Sequence, residues 1–82
     1  MHRRWTIRPV SYEERVGSFR IVNDADGMGK ALIEYCDPGS VTFNLAAQAL
    51  LDLSADRGDP EDARDAFIAA LEDAGVFVRG VA

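Results

Sequence analysis

The chain has 82 residues, a net charge of −5 and 48% hydrophobic residues. That suits one domain with a single modest core, near the lower size limit for unaided folding, and no apolar run approaches the roughly 18 residues that span a bilayer. Charge is uneven: residues 1–20 carry a local +3 and residues 21–82 a local −8, so most of the chain repels a phosphate backbone and general nucleic-acid binding is disfavoured.

The first quarter reads as a β-hairpin. Trp5, Ile7 and Pro9 alternate with Thr6 and Arg8, and then Val10 and Tyr12 alternate with Ser11. The period of two slips near Pro9, which has no N–H to donate, so the strand is expected at an edge or with a bulge there. Residues 13–18 form the turn, and Phe19 and Ile21 share one face of the return strand, opposite Arg20 and Val22. Trp5 is expected to anchor one end of the sheet.

Asn23 or Asp24 caps a first helix whose apolar arc comprises Ala25, Met28, Leu32, Ile33, Tyr35 and Cys36. Asp26, Lys30 and Glu34 stand opposite at spacing four. Gly29 falls within the arc, where a missing side chain invites close approach of another element. Asp37-Pro38-Gly39 ends this helix, and Ser40 caps the next, which runs to about Leu53. Asn44, Gln48 and Asp52 are its one polar stripe. Its apolar arc exceeds the width one covered face requires, so this helix is either central or has a second face for a partner.

The last helix is the clearest element. Asp59 caps, Pro60 takes the first position, and Glu61 and Asp62 favour its positive end. Ala63, Ala66, Phe67, Ala70, Leu71 and Ala74 make its stripe, Gly75 supplies a left-handed stop, and Val76-Phe77-Val78 join the sheet. Ile68 points off the stripe, between Arg64, Asp65 and Glu72, and gains meaning only if it forms a patch with Ala69 or with the middle helix. The expected fold class is α+β in the order β-β-α-α-α-β, with a small antiparallel sheet and three helices on one face.

Candidate chemistry fails on inspection. If Gly27 of Asp24-Ala25-Asp26-Gly27 took the sixth place of a calcium loop, Val22 and Ile33 would hold the first and last ligand positions, and neither can ligate. Gly27-Met28-Gly29-Lys30 lacks the first glycine of a phosphate loop, and Ala31 replaces its hydroxyl. One cysteine closes no internal disulfide, and one N-terminal histidine gives no catalytic base and no four-ligand metal set. Cys36 reads as a buried thiol, and the acids of residues 52–62 read as caps and solvated charge rather than a cation site. No catalytic residue, cofactor or metal is expected. With no apolar stretch after Met1-His2-Arg3-Arg4, a cytoplasmic location without a signal peptide is expected.

Trp5-x-x-x-Pro9-Val10, Gly17-x-x-x-x-Val22 and above all Ala63-Arg64-x-Ala66-Phe67-x-x-Ala70-x-x-x-Ala74-Gly75-Val76-x-Val78 resemble the small bacterial proteins of domain-of-unknown-function family 982, over nearly the whole chain. The resemblance implies fold and size, and no activity. Where that family often has a Trp-Pro pair after the first helix and a cysteine in the second, this chain has Tyr35-Cys36-Asp37-Pro38 and no cysteine. Arg64, the charged residue of the best-matching motif, is expected to tie its helix to an acid such as Glu61, Asp65 or Asp52.

The leading expectation is a non-enzymatic interaction module that forms a homodimer or binds another protein, with Leu45, Ala47, Leu51, Ile68 and Ala69 as its candidate surface. The alternatives are a small-ligand binder or enzyme using the Gly29 and Cys36 region, and a nucleic-acid regulator using Arg3, Arg4, Arg8 and Arg20.

Overall fold

Pro9 shapes the first strand. The computed structural model describes residues 6–79, so Trp5, Arg3 and Arg4 lie outside the described residues. Strand β1 (Thr6–Arg15) pairs antiparallel with β2 (Ser18–Asp24). Thr6 faces Asp24 and Val10 faces Val22, so Ile7, Arg8 and Pro9 stand against Asn23 alone. This bulge is the expected slip. It turns Ile7, Val10 and Tyr12 to the core together, which plain alternation would not. The strand is not at an edge: the sheet order is β2-β1-β3, with β3 (Val78–Arg79) closing on the other side of β1. The hairpin turn is tighter than expected, with Val16 and Gly17 between the strands and Gly17 at φ +80°.

Register assigns the two faces of the sheet. Val10 and Val22 pair on the core side, as do Tyr12 and Val78. Ser11 with Ile21 and Glu13 with Phe19 pair on the outer side, where Ile21 is exposed. Phe19 meets Phe77 edge-on at 6.3 Å, and the Arg79 guanidinium lies 5.1 Å from the Phe19 ring centre. A cation over one ring and an edge on another partly shield these aromatics from water.

All three helices lie on the core side. Helix α1 (Ala25–Tyr35) starts at Asp24, whose carboxylate accepts from Gly27 N–H at 2.8 Å. Helix α2 (Val41–Ser54) starts at Ser40, whose hydroxyl accepts from Phe43 N–H at 3.0 Å. Helix α3 (Pro60–Asp73) starts at Asp59, which accepts from Glu61 N–H at 2.9 Å, and Gly75 at φ +82° turns the chain away. Each helix thus begins where an oxygen-bearing side chain can take up a free backbone donor.

The helices are not equivalent. α1 packs on β2, and α3 packs on β1 and β3 while also touching α1 and α2. α2 packs on α3 and α1 and has no substantial contact with the sheet. The central helix is therefore α3, and the most apolar helix, α2, is the outer one. Only Ala46 and Leu53 of α2 are fully buried. On α3 the buried set is Ala63, Arg64, Phe67, Ile68, Ala70 and Leu71, an arc of about 160° at 100° per residue.

That arc corrects two expectations. Ile68 does not point to solvent: it is 5% exposed, because α3 is covered from the sheet side as well as from α2. Arg64 does not seek an acid. Its Nε donates to the Arg8 carbonyl at 3.1 Å and its terminal nitrogen to the Pro9 carbonyl at 3.3 Å, both within the bulge. Arg8 reaches back to form a forked pair with Glu61, at 2.6–3.0 Å. This pair holds the Glu61 carboxyl below its ordinary value of 4.5, through the Arg8 hydrogen bond first. Its stabilising effect is present above that value and is lost as pH falls through the lower folded value.

Candidate interaction surface

Two helices that cross with small residues at their contact leave a furrow. Between α1 and α2 lies an open groove of about 220 Å³ with a wholly apolar lining. Gly29 and Leu32 of α1 and Phe43, Ala47 and Leu50 of α2 line it, and Ile33 and Leu51 stand on its rims. Ile33 is 79% exposed and Leu51 62% exposed. The expected close approach at Gly29 is modest: a Cβ there would meet Leu50 at 3.5 Å, ordinary contact, so the glycine shapes the groove rather than being forced by it.

The expected surface divides. Ala47 and Leu51 line the groove together. Leu45 is 61% exposed but lies about 120° from Leu51 around α2, across the Asn44 and Gln48 stripe. Ala69 is exposed on α3 and is not part of the groove. Ile68 is in the core and drops out of the surface. Sequence reasoning missed Ile33, which it placed in the buried arc of α1. The available signal was angular: Ile33 lies about 100° beyond Leu32, outside the arc of similar width defined by Met28, Ala31 and Leu32.

The regions of the alternative readings are not brought together. Gly29 lines the groove, whereas the Cys36 thiol is buried and donates to the Ala70 carbonyl at 3.5 Å. Desolvation first, and then Asp73, push the Cys36 thiol above its ordinary value of 9.0. Tyr35, beside Glu14 at 3.5 Å, is pushed up to about 12, by desolvation first and then by Glu34. Both groups hold their protons more tightly when folded, so stability falls as pH rises past the values these groups have when unfolded. Alkylation of Cys36 at neutral pH should therefore be much slower in native protein than in urea, and urea midpoints should fall progressively above about pH 9. Rapid native labelling at pH 7 would contradict the buried geometry.

The acids after α2 have local duties. Asp52 accepts from Gln48 at 3.2 Å and lies 3.5 Å from Arg57, and Asp59 caps α3. Among the described residues no group of three or more His, Cys, Asp or Glu side chains is placed to hold a metal ion. Of the N-terminal cations, Arg8 is paired with Glu61 and Arg20 lies 3.6 Å from Glu14. No helix of the described residues is long and apolar enough to cross a membrane. Comparison with known protein families, with curated proteins and with solved structures finds no match to this chain.

Proposed function

We propose that this chain is a non-enzymatic interaction module of the cytoplasm that associates with a second copy of itself through the α1–α2 groove. The observation that carries this reading is an apolar furrow rimmed by the exposed side chains of Ile33 and Leu51. A face that holds both a hollow and projecting apolar groups can be filled by its own two-fold mate, each rim entering the other's furrow. Charge allows it. The net charge of −5 opposes most self-contacts, but the groove is bordered on α2 by uncharged Asn44 and Gln48. On α1 its neighbour is the Asp26–Lys30 pair, 3.2 Å apart and neutral together, with exposed Glu34 one turn further on adding a single negative charge. A second copy thus meets apolar surface without a facing row of like charge. The resemblance to family 982 is likewise offered as kinship of fold, and the single cysteine fits a reducing compartment.

Sedimentation at micromolar concentration tests the proposal. The native chain should run as a dimer and Leu51→Asp as a monomer, and the urea midpoint of the variant should match that of native protein diluted until it is monomeric, because Leu51 is largely exposed in the single protomer. A native monomer at high micromolar concentration, or a dimer indifferent to Leu51→Asp and Ile33→Asp alike, would remove this reading.

A further inference from the structure

The opposite flank of α1 carries a second, different opening, independent of the self-association just proposed. It is a groove of about 330 Å³ between β2 and the start of α1, lined by Tyr12, Arg20, Val22, Asp24, Lys30 and Ala31 among others. A volume of this size matches the lower range of small-ligand sites. Its lining is mixed, unlike that of the α1–α2 furrow.

Tyr12 is the anomaly of this groove. Its ring is completely buried, packed edge-on against Tyr35 at 5.5 Å, yet its hydroxyl makes no hydrogen bond. Arg20, directly across the ladder, is its neighbour: the hydroxyl is the leading cause that holds the guanidinium above its ordinary value, ahead of Glu14. Closeness here does not amount to a bond, because the geometry of a hydrogen bond is not met. A phenylalanine would keep the ring packing and avoid burying an unpaired hydroxyl, so the tyrosine is a stability defect unless the hydroxyl serves a ligand.

The surroundings define the ligand's charge. Arg20 and Lys30 reach the groove from separate elements; half-buried Glu14 lies 3.6 Å from Arg20, and exposed Asp26 lies 3.2 Å from Lys30. The one carboxylate in the lining, Asp24, is already committed to Gly27 N–H at 2.8 Å. That contact is tight: a Cβ on Gly27 would lie 3.0 Å from the Asp24 oxygen. The amino-terminal end of an eleven-residue helix adds its partial positive charge at the same place.

We infer that this groove binds a small oxyanion, a phosphoryl or carboxylate group, held by the Arg20 guanidinium and the Lys30 ammonium, with the buried Tyr12 hydroxyl donating once the exposed Arg20 side chain beside it turns to grip the ligand. The planar fork of Arg20 suits two oxygens of such a group, and Lys30 supplies a mobile point charge.

Amide chemical shifts of the native protein, titrated with inorganic phosphate and separately with acetate at constant ionic strength, test this. The expected result is saturable movement confined to Tyr12 with its strand neighbours and to residues 20–24 and 27–31, with at least one of the two probes, and the probe that saturates distinguishes phosphoryl from carboxylate. Tyr12→Phe should raise the urea midpoint while weakening binding about tenfold or more, the value of one hydrogen bond to a charged acceptor. Arg20→Gln, at an exposed position, should weaken it by tenfold or more. Leu51→Asp should leave binding intact, which separates this site from the dimer contact. No saturable movement with either probe, movement insensitive to both groove variants (an adventitious ion only), or a Tyr12→Phe chain less stable than native would overturn the inference.

Discussion

Phe67→Ala should destabilise the domain by about 3–5 kcal/mol. Phe67 is 1% exposed at the middle of the α3 arc, in the helix that packs on two strands of the sheet and on both other helices. Its ring cannot be replaced by a shift of any one neighbour without opening a gap against another, so a cavity persists. A domain of this length has only about 4–12 kcal/mol of total stability, so one lost ring removes a large share. Urea denaturation followed by circular dichroism reads the effect, and a loss below about 1.5 kcal/mol would mean that α3 is not the centre of the core. Leu51→Asp is the internal control, because its side chain lies on the helix that the sheet does not cover.

Arg64→Met should lower stability by about 2–3 kcal/mol although it replaces a charge with an apolar side chain of comparable length. The loss comes from the Arg8 and Pro9 carbonyls, which the bulge sets apart from the β2 ladder and which Arg64 alone binds with a charged donor. Removing the donor strands both acceptors, and water must enter the α3–β1 seam to reach them. Arg64→Lys should recover only part of the loss, because one ammonium does not reproduce two donors in a fixed plane. Stability within 0.5 kcal/mol of native for Arg64→Met would show that the carbonyls are solvated without it.

Legibility in the sequence followed the range of the interactions. The caps at Ser40 and Asp59, the stop at Gly75 and the slip at Pro9 are decided within a few residues, and the structure places them as the sequence predicts. What one helix wheel cannot carry is the identity of whatever lies opposite. The α2 helix is the richer in leucine and invites a central position, yet the alanine-rich α3 holds it, because small side chains let α3 approach the sheet and α2 at once. Ile68 and Arg64 were misread for that reason. Each sits on the flank that meets β1, and only the topology puts a strand there. Arg64 shows a further limit: its partners are carbonyls, which every residue has and no composition reveals. In the candidate surface, the Ala47 and Leu51 side was legible from the width of the apolar arc, while Ile33 needed the crossing of α1 over α2 to be known.

The middle position in the sheet belongs to the first strand of the described residues, and its second neighbour is the last of them. Everything that closes the sheet, from the Arg64 tie to the β1–β3 rungs, spans more than fifty residues of chain. A nascent polypeptide ending before α3 therefore has a hairpin and two helices joined by the α1–β2 and α1–α2 contacts, without the helix that carries the largest buried arc. Such a chain gains its structure in one late, cooperative step rather than piece by piece as it emerges, and a premature stop before residue 77 uncovers the edge of β1 at residues 11–13.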